Sequence, residues 1–196
     1  VTFSLQAIKI ITCGDGGMIA TSNKKYYEKL RKLVWFGVDR ELKKTTMIDP
    51  LPERIDMLGF KYNMNDIVAT IGRVGLRHLD EALAYRKRIG DLYRREFSGL
   101  KKFQLVHIPE TNTVNYQIFP IHVKKRMAFA EFISDRKIFI NVNNRRNDRY
   151  SIFGGKKPLP NLERADQDTI LIPLHCDLTD AHVEKIIDAV KAYDKV

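Results

Sequence analysis

The sequence has few cysteines and no long apolar runs. Its two cysteines, Cys13 and Cys176, are too few for a disulfide framework and lack the spacing of a zinc site. We therefore predict two buried thiols and no bound metal. No run of about 18 apolar residues can cross a bilayer, and no basic-then-apolar signal peptide opens the chain. We expect a cytoplasmic protein that makes no contact with a membrane.

Acidic residues are in deficit as well. The chain of 196 residues has 24 Asp and Glu against 34 Lys and Arg, a net charge of +10 at pH 7. Such a charge attracts polyanions, and both nucleic acid and a nucleotide diphosphate qualify. No recognised nucleic-acid module is present, so nucleic acid is the weaker alternative. Arginines of the basic loop 143–150 can grip a diphosphate bidentately, but a solvated charged loop explains them equally well.

The apolar pattern predicts a mixed α/β chain in two parts. The composition changes after Gly99, and we place a first domain at 1–105 and a small α+β domain at 106–196. In the first domain we predict a buried strand end before Lys9, a β-branched run over 17–22, a helix over 24–36, a long loop over 37–58 and a helix from Asn65 to Phe97. In the second we predict a strand over 113–123, a helix over 126–136, a strand over 138–142 and a last helix capped by Thr179 and Asp180. Pro120 predicts an edge or a bulge in its strand.

Helical spacing also predicts which side chains are buried. One face of the first helix and a stripe along the long helix are apolar: Tyr27, Leu30, Leu33 and Val34, then Ile67, Ile71, Val74 and Leu79. In the long helix the small residues Ala69, Thr70, Gly72 and Gly75 permit close helix approach. Asn23 and Asn65 are predicted helix N-caps.

The most informative residue is Lys9. It follows an apolar run and precedes the turn Gly14–Gly17. A lysine held among apolar neighbours loses hydration of its ammonium form, so the neutral amine that attacks carbonyl carbons becomes more available. A solvated surface lysine beside an ordinary hairpin turn is the alternative, and the local residues alone leave both open.

Two motifs resemble one known family. Ser4-x-Gln6-x-x-Lys9-x-x-Thr12-x-Gly14-Asp15-Gly16-Gly17 is similar to the lysine segment Ser-x-(His/Gln)-x-x-Lys-x-x-x-x-Gly-(Glu/Asp)-Gly-Gly of the DegT/DnrJ/StrS-type sugar aminotransferases. Gly59–Asp66 resembles the second motif of that family, in the same order and about fifty residues further on. These are fold-type-I enzymes that depend on pyridoxal 5′-phosphate (PLP).

The resemblance implies a function and a set of roles. It implies an aminotransferase that moves nitrogen, commonly from glutamate, to a keto-sugar nucleotide, and a homodimeric parent enzyme. Lys9 would bind PLP covalently and act as general acid and base, and Ser4 would bind the cofactor phosphate. Gln6 occupies a position beside the cofactor. Asn63 would be donated across the dimer to the partner's cofactor phosphate, while Lys61 fills the alternative position for that asparagine.

The resemblance also implies that about half of the usual polypeptide, N-terminal to the lysine, is absent. Residues 1–105 would then be the remainder of the PLP-binding large domain. The carboxylate that pairs with the pyridine nitrogen belongs to that half. We therefore expect a fragment of a longer enzyme that by itself binds PLP weakly and transaminates negligibly. The family's loop toward the neighbouring subunit would fall within 37–58.

Other questions and alternatives stand beside that interpretation. Loop 143–150 lacks the family's histidine, which leaves the sugar acceptor undetermined, and His175 either reaches a site or is structural. A related class of dehydratases replaces the lysine with histidine, and Lys9 argues against it. A non-catalytic binding or assembly protein that retains half of the fold is the remaining alternative.

Overall fold

The computed structural model describes residues 1–39, 55–142 and 146–196, which form two compact units, Val1–Leu79 and Asp80–Val196. The division into domains at residue 105 stays a prediction. In the first unit, β1 (Thr2–Ser4) pairs antiparallel with β2 (Gly17–Ile19), with Phe3 opposite Met18. Helices α1 (Lys24–Leu33) and α2 (Asp66–Arg77) complete this unit.

Both predicted N-caps of the first unit are confirmed. The Asn23 side chain accepts a hydrogen bond from the Tyr26 amide, and that of Asn65 accepts one from the Val68 amide. Each bond satisfies an amide of the first helical turn that has no partner within the helix. Helix α1 ends at Leu33, three residues earlier than predicted, and the chain then turns through Val34–Gly37.

The predicted burial in the first unit is wrong for the described residues. Ile67, Ile71 and Val74 of α2 are 76%, 51% and 49% exposed, and no residue of α1 is buried. Strand β1 is exposed along its length, contrary to the predicted buried strand end. Helix α2 instead turns its glycine face toward residues 11–13, which form no helix, so the close approach that the small residues permit is to a loop.

The predicted long helix is interrupted once. His78 departs from helical geometry (φ −102°, ψ 8°) between α2 and α3 (Leu79–Phe97). Both ends of the predicted segment, the cap at Asn65 and the end at Phe97, are confirmed.

The second unit is an antiparallel sheet covered by helices. Strands β3 (Phe103–Leu105), β4 (Phe119–Val123) and β5 (Thr169–Ile172) lie in the order β3-β4-β5. Its helices after α3 are α4 (Arg126–Asp135), α5 (Pro160–Asp168) and α6 (Asp180–Lys195), and two single 3₁₀ turns cover Asn147–Arg149 and Ser151–Phe153.

Aromatic and aliphatic side chains form the core of the second unit. Tyr93 stacks on Phe97 at 5.3 Å between ring centres, and Phe119 packs edge-on against Tyr93. The predicted inner face of α6 is confirmed, since Val183, Ile186, Ile187 and Val190 are buried and Tyr193 is half-buried. Thr179 caps this helix in a reciprocal capping box with His182.

Four further predictions for the second unit need correction. Residues 113–118 lie outside β4, and residues 138–142 form only an isolated bridge between Asn141 and Leu171. Pro120 lies in the central strand, yet at its position β4 pairs with β5 alone, so the missing amide costs no ladder bond to β3. Cys13 is buried as predicted, whereas Cys176 is exposed.

Candidate functional site

Lys9 lies in a loop between β1 and β2, not at the end of a strand. The loop is closed at its base, where the Leu5 carbonyl accepts hydrogen bonds from the Cys13 amide at 3.0 Å and the Thr12 hydroxyl at 3.2 Å. The Leu5 amide donates to the Gly16 carbonyl at 3.0 Å. The chain therefore leaves the hairpin at Leu5 and returns to it at Cys13.

The Lys9 side chain is half-buried. Among the residues that the structure describes, none forms a hydrogen bond or an ion pair with its amino group. Its amide donates to the Gln6 carbonyl at 2.9 Å, which places Lys9 at the end of a tight turn. The backbone of Lys9 is thus held while its amine stays available to a ligand.

Ser4 and Gln6 lie on the approach to that turn. The Ser4 hydroxyl accepts a long bond from the Gln6 amide, at 3.5 Å, and no described residue accepts the hydroxyl proton. The Gln6 side-chain oxygen accepts from the Ile8 amide at 3.2 Å, which leaves its NH₂ group to donate elsewhere. Both side chains therefore keep donors for a ligand.

Asn63 belongs to a segment that pairs with the end of α1. The Asn63 and Tyr62 amides donate to the Val34 carbonyl at 3.1 and 3.0 Å. The Asn63 Oδ1 atom is buried and has no hydrogen-bond partner within the described ranges 1–39, 55–142 and 146–196. A buried amide oxygen without a partner costs free energy, which makes this a place where a bound group would be favoured. Its donation across a dimer stays a prediction.

Glycine allows the second motif to approach α1. A Cβ atom at Gly59 would lie 1.9 Å from the Gly37 nitrogen, so no side chain fits there. Two residues further on, Lys61 places its ammonium 5.1 Å from the centre of the Trp35 ring, a cation–π contact. Lys61 is thereby engaged within its own unit, and Trp35 is half-buried, as expected of a packing residue.

The two motifs meet at Gly16. A Cβ atom at Gly16 would lie 3.2 Å from both Cys13 Sγ and Met64 Cε, so Met64 of the second motif lies beside the glycine turn of the first. The fold therefore brings Met64, the residue after Asn63, against the glycine turn that follows the Lys9 loop. The predicted site residues Ser4, Gln6, Lys9 and Asn63 all belong to Val1–Leu79.

Arg146 has a structural role in the second unit. It is 4% exposed and donates to Asp148 at 2.9 and 2.6 Å, to Glu163 at 2.8 Å and to the Lys157 carbonyl at 3.1 Å. With its donors largely used, Arg146 is not placed to grip a diphosphate. Residues 143–145 of the predicted basic loop lie outside the described residues, as do residues 40–54 of the predicted long loop.

His175 belongs to the second unit, and the described residues offer no metal site. The His175 ring is exposed and its Nδ1 atom lies 3.8 Å from an Asp177 oxygen, whereas the Lys9 loop belongs to the first unit. Within the described part of the chain, no three His, Cys, Asp or Glu side chains gather in a way that would hold a metal ion. No described helix is long and apolar enough to cross a membrane.

Comparison with known sequences agrees with this geometry. The sequence profile of the DegT/DnrJ/EryC1/StrS aminotransferase family matches residues 1–191. The chain belongs to this family. The resemblance drawn from the two motifs is confirmed, and so is the mixed α/β fold class of a C-terminal part of these enzymes.

Relatives of this aminotransferase family are about twice as long as the chain. The uncharacterized protein MJ1066 of Methanocaldococcus jannaschii is 29% identical over 97% of this chain and 52% of its own. The crystal structure of the sugar aminotransferase CalS13 from Micromonospora echinospora superposes with a TM-score of 0.89 at 26% identity, over 97% of this chain and 51% of its own.

One similar structure is described as a PLP form. It is the putative sugar aminotransferase Spr1654 from Streptococcus pneumoniae, with a TM-score of 0.82 at 24% identity, over 99% of this chain and 51% of its own. Because the chain spans about half the length of these relatives, the activity of a whole family enzyme is a proposal for it.

Sequence reasoning missed the residues that close the Lys9 loop. Thr12 is part of the first motif, yet its hydroxyl had no assigned role, and the Leu5 carbonyl is a backbone atom that no residue pattern reveals. A threonine three residues after the lysine and two before a glycine is the available signal, since Ser and Thr hydroxyls often bond to a backbone amide two residues on.

Proposed function

We propose that this chain is the lysine-bearing part of a PLP-dependent aminotransferase that transfers an amino group to a keto-sugar nucleotide. The observation that carries the proposal is the Lys9 loop: a half-buried amine without a partner among the described residues, on a backbone closed at its base, beside the second family motif. Membership of the aminotransferase family supports the reaction class. Sugar aminotransferases among the similar structures support the substrate class.

The residues present fit the cofactor. The Ser4 hydroxyl and the Gln6 NH₂ group have donors free for phosphate or ring oxygens, and Lys9 offers a primary amine for an aldehyde. The buried Asn63 Oδ1 atom without a partner marks a further polar position. An amide that presents either its oxygen or its NH₂ group by rotating its plane can meet an acceptor or a donor there.

Each residue would then have a distinct task. PLP, when bound, supplies the electron sink that makes the donor's α-proton removable. The Lys9 amine holds the cofactor and afterwards, as a free amine, takes up that proton and returns it on the other side of the reaction. Ser4 and Gln6 orient the cofactor by hydrogen bonds. The closed backbone keeps the amine within reach of the cofactor. Holding reacting groups in the right geometry can lower a reaction barrier by about 7 to 11 kcal/mol in well-oriented systems.

Further details of the proposal rest on the family alone. Glutamate is proposed as the amino donor, a homodimer as the state of the longer enzyme and the cytoplasm as its compartment. We also propose that the chain by itself binds PLP weakly and turns over negligibly, because the described residues include no carboxylate assigned to the pyridine nitrogen.

Reductive labelling tests the proposal. The purified chain is titrated with PLP, reduced with borohydride and digested, and the modified lysines are identified by mass spectrometry. We expect preferential labelling of Lys9 at PLP concentrations that leave the exposed Lys25 largely unmodified. Lys9→Ala should abolish the preferred site, and Lys25→Ala is the matched control. Equal labelling of Lys9 and Lys25 would overturn the function, and strong PLP binding with turnover would overturn the expected inactivity alone.

A further inference from the structure

We propose that Thr12 is a positioning residue for Lys9, acting by closing the base of the loop that carries it. This inference rests on the proposed function, in which Lys9 is the reactive amine. Its hydroxyl bonds to backbone atoms, so its effect would reach the chemistry through the backbone.

The Thr12 hydroxyl joins three parts of the first motif. It donates to the Leu5 carbonyl at 3.2 Å and accepts from the Gly14 amide at 2.9 Å. Leu5 leads into the Lys9 loop and Gly14 begins the glycine turn, so one hydroxyl fixes the entry of the loop to its exit. Valine has nearly the same shape and can form neither bond.

Other bonds share this task. The Cys13 amide donates to the same Leu5 carbonyl at 3.0 Å, and within the loop the Lys9 amide donates to the Gln6 carbonyl and the Ile8 amide to the Gln6 side chain. The two bonds within the loop fix its local turn. Because ordering the backbone costs about 1–2 kcal/mol per residue, each bond that closes the base helps to keep the loop in one position.

Helix α2 packs against residues 11–13, which form one side of the base of the loop. A Cβ atom at Gly75 would lie 3.3 Å from Ile11 Cγ2 and 4.0 Å from the Thr12 carbonyl, and one at Gly72 would lie 3.5 Å from Cys13 Cβ. Residues 11–13 are therefore packed against the glycine face of α2 while the Thr12 hydroxyl points to Leu5 and Gly14. Packing on α2 fixes the position of residues 11–13, and the Thr12 hydroxyl bonds them to Leu5 and Gly14.

Thr12→Val in the full chain is the decisive variant, with Thr12→Ser as the conservative rescue. Thr70→Val is the matched control, because the Thr70 hydroxyl also donates to a backbone carbonyl, that of Asp66 at 2.7 Å, in the same unit but away from the loop. Hydrogen exchange of the Lys9 amide is measured by NMR. The ratio of Lys9 to Lys25 labelling by PLP and borohydride is measured alongside it.

We expect Thr12→Val to speed exchange of the Lys9 amide about tenfold and to lower the labelling ratio by a similar factor. Thr12→Ser should stay within about twofold of the native chain, and Thr70→Val should change neither quantity. An unfolding midpoint of Thr12→Val close to native excludes a general loss of structure as the cause. Unchanged exchange at Lys9 in Thr12→Val would overturn the inference.

The two readouts separate this inference from the proposed function. If the native chain shows no preference for Lys9 in labelling, the function fails, and the exchange rate still decides whether Thr12 holds the loop. If labelling favours Lys9 and is equally selective in Thr12→Val, the function stands and the positioning role is wrong.

Discussion

Gly90 of α3 lies directly against the ring of Tyr116. A Cβ atom at Gly90 would lie 2.5 Å from Tyr116 Cδ1, closer than any real contact of this kind. The ring is held in place, because the Tyr116 hydroxyl donates to Asp91 at 2.8 Å. Burial, with the hydrogen bond to Asp91 in support, raises the pKa of Tyr116 to about 12. The helix and the chain before β4 are thus fitted together through one missing side chain.

Gly90→Ala should therefore destabilise the second unit despite the better helix propensity of alanine. We expect a loss of about 1–3 kcal/mol in the free energy of unfolding, the usual cost of overpacking a core. Urea unfolding followed by far-UV circular dichroism measures it. A variant as stable as the native chain would show that Tyr116 can move aside at no cost.

Gly72 and Gly75 differ in the space that is available to an added methyl group, which Gly72→Ala and Gly75→Ala would test. The Cβ atom at position 72 finds ordinary contact at 3.5 Å, whereas that at position 75 is crowded at 3.3 Å by Ile11. Alanine is favoured over glycine in helices by about 1 kcal/mol. We expect Gly72→Ala to stabilise the first unit by up to about that amount and Gly75→Ala to gain little or nothing.

The single tryptophan, Trp35, reports this pair of variants, because it lies in the first unit. Urea unfolding followed by its fluorescence gives the stability of that unit. A larger gain from Gly75→Ala than from Gly72→Ala would contradict the packing of residues 11–13 on α2.

Because of Asp148, the stability of the second unit should fall at acid pH. Hydrogen bonds from Arg146 and from the Lys157 amide lower the pKa of Asp148 to about 2, from 3.8. A carboxylate with a lowered pKa in the folded state contributes stability that is present above about pH 4 and is lost as the pH falls toward 2.

Asp148→Asn should reduce this loss of stability at acid pH. We expect the urea midpoint of the native chain to fall between pH 4 and pH 2 and that of the variant to fall less over the same range. Asp135→Asn, at an exposed carboxylate at the end of α4, is the control and should follow the native curve. Parallel curves for the native chain and Asp148→Asn would show that the pairing with Arg146 has no net effect.

Arg86 holds two chain segments to α3. Its Nη1 atom donates to the carbonyls of Tyr116 at 3.1 Å, Leu174 at 3.0 Å and Gln117 at 3.4 Å. Arg86→Met keeps much of the volume but leaves buried carbonyls without a donor, and we expect a loss of about 1–3 kcal/mol in unfolding free energy. Arg88→Met, two residues on at an exposed ion pair with Asp180, should stay near the native value. Equal effects of both substitutions would refute the anchoring role.

Short-range features were predictable from the sequence for a physical reason. The caps at Asn23, Asn65 and Thr179 are bonds to amides three residues away, so the local sequence contains both partners. The predicted α4 and the inner face of α6 were confirmed for the same reason, since helical spacing places their apolar residues on one side.

Burial in the first unit was not predictable in this way. The spacing of Ile67, Ile71 and Val74 identifies an apolar face of α2 but carries no information about what covers it. The exposed thiol of Cys176 and the missing strand at 138–142 are errors of the same kind, because residue type indicates a tendency and the neighbouring segments decide the outcome.

The sequence by itself determined the family, through Lys9 and two motifs whose residue types and spacing carry the chemistry. Only the tertiary structure decided how Lys9 is held: that Thr12 and Cys13 return to the Leu5 carbonyl, that the glycine face of α2 lies behind them, and that Met64 reaches Gly16. The physical reason is that these contacts join segments separated along the chain. They depend on backbone atoms and on absent side chains, which no residue pattern displays.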